Sequence, residues 1–566
     1  MRWTMPSSSG ETSNVTVQTT RVSRAQIFTT YWSHLGVVLI VCLAALARVH
    51  FLPLPLDRDE GEYAYAAQLI LQGIPPYVEV ASMKMPGMYG VYALILTALG
   101  QSAAAIHVGL LLVNMLTTVV LFALAKELYD SFAAVVASAS FAVLSLSQAL
   151  VGASANAEHF VILPVVAGVL LLLRGTVTDR VWPLFTSGLL FGVGFVLKQH
   201  GAAFIAFAGL YVVLHELRRQ PLVLTQAFRR SLYFGVGAVT PFAATCLLFF
   251  ALGVFDRFWF WTFTYAREYG ALVPLSHGWL NAKAQFGSIL KPTFPLWLLA
   301  GLGLTALVWD ERARSHRGLA AAFFMWSLIS LCPGLYFRDH YFVLLLPSLA
   351  LLAGIGASAL VNRCRGETAC ITRRALPAAI IIVALAYPVY SERQYRFSTS
   401  LEEIVRSTYG LNPMLESTEI AHYIRTNSTT SDRIAVLGSE PQIYFYAQRR
   451  GGTRYIYMYP LMEPHKYALA MQQEMIADIE AARPRFLVFA NIFYSWLPRP
   501  SSERLILDWF TRFQQRYYQP VGIADMVAGQ ETIWRWGEEC AGYQPRSRSW
   551  VAVLQRREDP PPFVDR

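Results

Sequence analysis

A short acidic segment, followed in the same loop by a lysine, is the stretch of the sequence best suited to chemistry. Four carboxylates stand within six positions directly after the first apolar run: Asp57, Asp59, Glu60 and Glu62. An acid or a lysine at membrane depth costs about 2.5 to 3.5 kcal/mol even on lenient insertion scales, so the cluster either lies in water or serves a reaction. A carboxylate near a cation suits group transfer from a lipid phosphate. In such a site the cation would hold the phosphate, and a carboxylate would act as general base on an acceptor hydroxyl or amine.

The acidic segment also fits an ordinary helix start. Asp59 could act as N-cap, with Glu62 as the other half of a capping box, which contributes about 1 kcal/mol. A cap needs only one carboxylate, however, and Asp57 and Glu60 add negative charge that cations or water must compensate. We therefore favour the catalytic interpretation and keep the capping box as its alternative.

Further polar residues stand at the predicted outer ends of apolar segments, where they could line the same cavity: Glu158, His159, Lys198, Arg338 and His340. Lys198 and Arg338 are candidates for binding the phosphate, and Glu158 is a candidate for orienting the sugar or the acceptor. Each also has an ordinary interpretation, because Lys198 could extend its amine to the surface and Arg338 could anchor a helix at the interface. The aromatic segment 258–269 could stack on sugar rings or form an aromatic belt.

The composition is that of a protein that crosses a membrane many times. Of 566 residues, 55% are hydrophobic and only 15% are charged, against about 25% charged in a typical soluble domain. The formal net charge of +10 comes from basic residues concentrated in short loops near 218–230, 312–317 and 363–374. This is the positive-inside pattern of cytoplasmic loops, so it indicates orientation, and we expect no nucleic-acid partner.

About 20 apolar residues cross the hydrocarbon core as a helix, which gives about eleven predicted spans. They are 34–52, 103–125, 131–153, 158–174, 183–198, 200–215, 231–253, 288–309, 318–336, 341–360 and 375–390. The region 87–126 could hold two spans, but two would put the later arginine clusters outside. We therefore predict a short, partly inserted helix followed by one full span, with the amino end of the chain inside and the carboxyl end outside.

Composition divides the chain into three parts. Residues 1–30, rich in serine and threonine, are predicted to be a disordered cytoplasmic tail. Residues 31–392 form the membrane domain, with the catalytic loop at 53–87, and residues 393–566 form a soluble α/β domain outside the membrane. In the soluble domain we expect strands at 433–438, 453–457, 485–490 and 532–536, and helices at 466–482 and 501–515. The domain would cover the cavity or bind the acceptor.

Neither the cysteines nor the glycines of the sequence indicate a cofactor. The six cysteines are scattered without paired or metal-ligand spacing, so no disulfide scaffold is expected. The sequence has no glycine-rich nucleotide or flavin motif. A sugar already activated on a lipid phosphate needs no such cofactor, and we expect none to be required.

Four motifs together resemble a known family. They are Asp59-Glu60 with Tyr63 after the first span, Lys84-Met85-Pro86-Gly87, Asn156-Ala157-Glu158, and a glycine-rich helix that ends in Leu197-Lys198. Over residues 30–360 the sequence resembles the C-type (GT-C) glycosyltransferases of the protein O-mannosyltransferase and lipid A aminoarabinose transferase kind. Bacterial relatives of this kind are described as dolichyl-phosphate-mannose-protein mannosyltransferase-like.

The resemblance implies inverting transfer of a sugar from a polyprenyl-phosphate donor on the extracytoplasmic face. It implies Asp59 as base, Glu60 and Tyr63 as supporting groups, and Lys84 near the lipid phosphate. The sequence departs from the commoner Lys-Pro-Pro at Lys84-Met85-Pro86, and Glu158 stands where relatives often have Asp. Asp57-Arg58-Asp59 is a D-x-D of the kind that helps bind a divalent cation in other C-type enzymes. Two carboxylates are an incomplete site, however, and we expect no metal requirement.

A transporter or flippase of lipid-linked sugars is the alternative from another class. Such proteins generally have an internal repeat and interrupted helices near the membrane midplane. In this sequence the charged residues instead stand at helix ends on one face. We therefore favour an enzyme in a bacterial inner membrane, with a lipid-linked sugar as donor and a protein, lipid or glycan as acceptor.

Overall fold

A computed structural model describes residues 24–364, 371–398 and 400–558. The predicted disordered tail, 1–30, lies mostly outside the described residues. The first helix begins at Arg24, so the prediction of disorder is wrong for residues 24–30, which are helical.

The membrane part of the chain is helical throughout. Its α-helices are α1 Arg24–Val49, α2 Arg58–Leu71, α3 Pro86–Leu99, α4 Ala103–Leu128, α5 Ser131–Leu144, α6 Ala157–Val177, α7 Trp182–Leu197, α8 Ala202–Leu217, α9 Leu224–Ala251, α10 Phe255–Trp259, α11 Ala266–Gly270, α12 Leu275–Trp309, α13 Glu311–Ser315, α14 Arg317–Ile329, α15 Leu346–Cys364 and α16 Ile371–Ser391. A π-helix at Phe260–Tyr265 joins α10 to α11, and a 3₁₀ helix at Asp339–Leu345 leads into α15.

Seven helices among the described residues are long and apolar enough to cross a membrane, and five shorter apolar helices accompany them. Each predicted span coincides with one of these helices, while the exact number that cross stays a prediction. The expected division of 87–126 is confirmed, since α3 has 14 residues and α4 has 26. Two predicted spans were too long. Helix α5 ends at Leu144 and α14 at Ile329, and the residues that follow each of them turn toward the functional site.

Close helix packing in the membrane part depends on glycines of α7. A Cβ added at Gly188 would lie 2.2 Å from the Phe234 carbonyl oxygen of α9, and one at Gly192 would lie 2.3 Å from the Ala238 carbonyl oxygen. Small residues allow helix backbones to approach this closely, which is how helices associate when lipid is the solvent. Because α7 is packed in this way, its carboxyl end, where Lys198 follows, has a fixed position.

The soluble part is a mixed sheet with helices around it. Its helices are α17 Arg393–Phe397, α18 Leu401–Tyr409, α19 Met414–Thr426, α20 Gln442–Ala447, α21 Tyr459–Met462, α22 Ala468–Ala482, α23 Phe493–Trp496 and α24 Leu505–Tyr517. Its strands are β1 Arg433–Leu437, β2 Arg450–Gly451, β3 Phe486–Asn491, β4 Tyr518–Asp525, β5 Ile533–Trp536 and β6 Trp550–Arg556. The strand order is β2-β1-β3-β6-β4-β5. Strand β1 is parallel to β2 and β3, and the other pairs are antiparallel.

The predicted α/β domain is confirmed, with one strand misassigned. The strands expected at 433–438, 485–490 and 532–536 are present. The segment 453–457 is irregular, and β2, β4 and β6 were not predicted. In this irregular segment the Arg454 carbonyl accepts from the Ala81 backbone N–H at 2.8 Å. The segment therefore pairs with the membrane loop instead of with a neighbouring strand.

The soluble domain rests directly on α2. A Cβ added at Gly61 would lie 2.5 Å from the backbone nitrogen of Gln442 in α20. The Tyr65 hydroxyl accepts from the Gly451 backbone N–H at 2.7 Å, and Arg58 forms an ion pair of 2.6 Å with Glu440. These contacts join the helix that carries the acidic segment to the soluble domain.

Candidate active site

A cavity of about 380 Å³ lies where the membrane and soluble parts meet. Its wall includes the start of α2, the loop before α3, the end of α7, the turn before α15, residues 265–270, and residues 457–463 of the soluble domain. The cavity brings together seven of the predicted site residues: Asp57, Asp59, Tyr63, Lys84, Lys198, Arg338 and His340.

Helix α2 begins because Asp57, not Asp59, caps it. The Asp57 carboxylate accepts from the Glu60 backbone N–H at 2.9 Å, and the Glu60 carboxylate accepts from the Asp57 backbone N–H at 2.9 Å. The capping box predicted for Asp59 and Glu62 is therefore wrong by two residues. With the cap supplied elsewhere, Asp59, Glu62 and Tyr63 share one helix face at i, i+3 and i+4 spacing and point into the cavity.

Lys84 joins two carboxylates of that face. Its amine lies 2.7 Å from Asp59 Oδ1 and 3.0 Å from Glu62 Oε2, and 4.4 Å from the centre of the Tyr63 ring. Burial alone would raise the pKa of Asp59, but the charges of Lys84 and His340 outweigh burial and lower it below the ordinary range. Asp59 is therefore a carboxylate at neutral pH. The Tyr77 hydroxyl donates to the Lys84 carbonyl at 2.7 Å and fixes the loop.

A second ion pair stands across the cavity. Lys198, which follows α7 in extended conformation, contacts Glu158 at the start of α6, and its amine lies 4.5 Å above the Tyr341 ring. His340 Nε2 lies 3.9 Å from Glu158 Oε1 and 4.0 Å from Asp59 Oδ2, so its ring stands between the two carboxylates. Glu158 itself is 0% exposed and lies behind Lys198, so it contacts the cavity only through its partners.

Arg338 differs from the two lysines. It lines the cavity, and within the described part of the chain no carboxylate oxygen lies within 4.0 Å of its guanidinium. Its guanidinium carbon lies 5.5 Å from the centre of the Tyr336 ring. Its positive charge is therefore available to an anion that enters the cavity.

Two of the predicted residues lie behind the cavity wall. Glu60 is 1% exposed, accepts from the Ala155 backbone N–H at 2.6 Å and lies 3.0 Å from His107 Nε2. His159 is also buried, with Nδ1 3.2 Å from Asn114 Oδ1. The position of Glu60 is that of a residue that holds α2 against α4 and the start of α6. Neither Glu60, expected as a supporting group of the base, nor His159, expected to line the cavity, is part of the cavity wall.

The two carboxylates of the D-x-D have different partners. Asp59 contacts Lys84, whereas Asp57 caps α2 and accepts from the Tyr409 hydroxyl at 3.3 Å. Burial, and then the charges of Glu60 and Asp59, raise the pKa of Asp57 to about 7. Among the described residues, no group of three or more His, Cys, Asp or Glu could hold a metal ion.

The soluble domain supplies cavity residues that the sequence did not indicate. The Tyr457 hydroxyl donates to Asp59 Oδ1 at 3.0 Å, the same oxygen that Lys84 contacts. Within the described part of the chain, the nearest cationic nitrogen to Oδ2 is His340 Nε2 at 4.0 Å. Tyr459 and Glu463 also line the cavity, and Tyr265 of the π-helix donates to Glu463 Oε2 at 2.6 Å. Residue 457 belongs to the run that resembled a strand, so no sequence signal marked it.

The aromatic segment 258–269 is divided between the packed helices and the cavity wall. Phe258 stacks on Phe249 of α9 at 4.9 Å, away from the cavity. Tyr265 and Tyr269 line the cavity. Only the carboxyl end of the segment is therefore placed to meet a sugar.

Comparison with known proteins gives one family-model match. Residues 84–255 match the model of the family described as dolichyl-phosphate-mannose-protein mannosyltransferase. No curated protein matches the chain significantly.

Solved structures match over nearly the whole chain. The structure of ArnT from Cupriavidus metallidurans bound to undecaprenyl phosphate has a TM-score of 0.57 and 14% identity, with 93% of this chain and 98% of that chain covered. The oligosaccharyltransferase AglB from Archaeoglobus fulgidus, in complex with an inhibitory peptide and a dolichol-phosphate, has a TM-score of 0.51 and 12% identity, with 94% and 77% covered. At these identities the likeness concerns the fold.

The family match and the shared fold confirm the resemblance to GT-C glycosyltransferases that the sequence predicted. The apolar helices confirm an integral multi-pass membrane protein. The chain thus shares the fold of the ArnT structures over nearly its whole length, and its residues 84–255 match the dolichyl-phosphate-mannose-protein mannosyltransferase model.

Proposed function

We propose that this protein transfers a sugar from a polyprenyl-phosphate donor to an acceptor hydroxyl or amine on the extracytoplasmic face, with inversion. The observation that carries the proposal is that Asp59 shares one cavity with three cations, Lys84, Lys198 and Arg338. The bound lipid phosphates of ArnT and AglB support a donor of this class. The acceptor is a protein, a lipid or another glycan of a bacterial inner membrane, and no metal or other cofactor takes part.

Arg338 is the first contact for the lipid phosphate. Its charge has no carboxylate partner within 4.0 Å in the described residues, whereas Lys84 and Lys198 each contact one. A phosphate bound to Arg338 gains a charge-assisted hydrogen bond without breaking an existing ion pair. The lysines then stabilise the charge that develops on the leaving oxygen.

The transfer is a single displacement. The acceptor oxygen or nitrogen attacks the anomeric carbon, and the bond from that carbon to the phosphate oxygen breaks. The bonding pair leaves on the phosphate, and the acceptor proton passes to Asp59 Oδ2, since Lys84 and Tyr457 both occupy Oδ1. Attack from the side opposite the phosphate inverts the anomeric centre.

Donor binding also activates the base. Lys84 lowers the pKa of Asp59 against the effect of burial, which makes the carboxylate a weak base. A phosphate that attracts Lys84 weakens its hold on Asp59, and the basicity of the carboxylate rises. The base is therefore strongest when the donor is bound.

The test is Asp59→Asn in purified protein, with a polyprenyl-phosphate sugar and an acceptor in detergent. Because Asp57 caps α2, the substitution leaves the helix start intact. We expect the transfer rate to fall about 10² to 10⁴-fold, the contribution of a positioned base, while the melting temperature is unchanged. Asp179→Asn, in an exposed carboxylate, is the control. Transfer near the wild-type rate by Asp59→Asn would overturn the assignment of the base. Product formed by wild type in a single compartment excludes a flippase without transferase activity.

A further inference from the structure

We propose that Glu463 and Tyr265 form a subsite for an uncharged hydroxyl of the transferred sugar, and that this subsite selects neutral sugars over amino sugars. The inference rests on the proposed function, because it concerns the donor of the same cavity. It assigns a role to a carboxylate of the soluble domain that the transfer steps do not use.

Glu463 is the cavity carboxylate that has neither a cation nor a backbone N–H as partner among the described residues. The others are satisfied in pairs: Asp57 by the Glu60 N–H, Asp59 and Glu62 by Lys84, and Asp339 by His340. The Tyr265 hydroxyl donates to Glu463 Oε2 at 2.6 Å, and no described residue makes a hydrogen bond to Oε1. One oxygen of a carboxyl group that lines the cavity is thus left for a ligand.

The surroundings of Glu463 form a built site. Glu463 is 7% exposed, and Tyr265 is 1% exposed. Tyr269, also in the cavity wall, stacks on Tyr336 with ring centres 4.5 Å apart, which fixes its ring. Rigid aromatic faces beside a hydrogen-bonding carboxyl group suit the mixed apolar and polar surface of a sugar ring.

The charge of the subsite favours a neutral ligand. Burial raises the pKa of Glu463 to about 7, so a large fraction of the group is protonated near neutral pH and can donate to a hydroxyl oxygen. An ammonium group would require the ionised form, and it would also lie in the positive field of Arg338, whose charge no carboxylate within 4.0 Å compensates in the described residues. The remaining cavity carboxylates of the described residues are already paired, so an amino sugar could use only Glu463 as counter-ion. Burial opposes the ionised form of Glu463, and Arg338 already acts on its charge.

The first measurement needs no variant. Wild-type protein receives two donors with the same lipid phosphate, one carrying a neutral hexose and one carrying an amino sugar. We expect kcat/KM for the neutral donor to exceed that for the amino-sugar donor by at least about tenfold. This is the effect expected when one charge is left unpaired or one hydrogen bond is lost. A preference for the amino sugar would overturn the inference.

Two substitutions separate a neutral contact from an ionic one. Glu463→Gln keeps shape and hydrogen bonding without charge, and we expect the donor KM to stay within about threefold of wild type. Glu463→Ala removes the contact, and we expect the donor KM to rise about tenfold with kcat nearly unchanged. Glu268→Ala, which removes a carboxylate just outside the cavity, is the matched control.

The outcomes are distinguishable from failure of the proposed function. If the donor KM of Glu463→Gln rises as much as that of Glu463→Ala, the carboxylate acts as an ion and the inference is wrong. If the Ala variant keeps the wild-type KM, Glu463 makes no donor contact and the inference is wrong, although transfer itself stands. If wild type transfers neither sugar, the proposed function fails as well.

Discussion

Gly61→Ala tests whether the soluble domain sets the position of α2, the helix that carries Asp59. The added Cβ would lie 2.5 Å from the backbone nitrogen of Gln442 and 2.7 Å from its Cα. Carbon contacts are ordinarily about 3.5 to 4.0 Å, so α2 and α20 must separate by roughly 1 Å. The obstacle is backbone, which cannot rotate away as a long side chain can.

Two opposing terms set the expected cost of this change. Overpacking costs about 1 to 3 kcal/mol, and replacing glycine by alanine in a helix returns up to about 1 kcal/mol. We expect a net loss of about 1 to 2 kcal/mol, which lowers the melting temperature by several degrees for a domain of this size. The effect on rate is larger, because a misplacement of about 1 Å in a reacting group can cost 10²-fold.

The assay is the transfer rate in detergent together with thermal unfolding. Gly90→Ala in α3 is the matched control, because a Cβ at Gly90 meets nothing within 4 Å. We expect that variant to keep its rate and to be as stable as wild type or slightly more so. If Gly61→Ala resembles Gly90→Ala in both measurements, the soluble domain does not position Asp59 through this contact.

Two further substitutions test the cavity and the packing of the membrane helices separately. Tyr457→Phe removes the hydroxyl that donates to Asp59 while it keeps the ring near Lys84. Since that donor favours the ionised carboxylate, its loss raises the pKa of Asp59, and the acid limb of the kcat/KM profile should move to higher pH; an unshifted limb would contradict this role. Arg230→Met leaves Glu216, with a side chain 2% exposed, without its main partner. We expect a loss of about 3 kcal/mol, seen as a lower melting temperature with kcat unchanged in the protein that remains folded, and equal stability to wild type would refute the structural role of the pair.

The sequence determined the membrane architecture because the bilayer imposes a strict local rule. A helix must be apolar over about 20 residues to cross the hydrocarbon core, and this pattern can be read from each segment alone. The same rule located the polar helix ends. Asp59, Lys84 and Lys198 stood out because charge is costly near a membrane, and the cavity contains all three.

Local patterns could not rank neighbouring residues. Asp57, Asp59 and Glu60 differ by one or two positions, yet successive helical residues point in directions about 100° apart. Glu60 consequently turns toward Ala155 and His107, while Asp59 turns toward the cavity. The sequence shows one acidic cluster, and only the direction of each side chain separates the cap, the buried support and the proposed base.

The sequence was thus enough to identify the candidate carboxylates and cations. Tertiary structure decided which partner each of them has. Tyr457 donates to Asp59 across 398 positions of the chain, and Arg58 reaches Glu440 across 382. Such contacts have no local period, because they arise only when the soluble domain folds and rests on α2. Packing between distant segments therefore decides which described carboxylate keeps an oxygen for a ligand. It also decides which described cation lacks a carboxylate partner and which residues close the cavity.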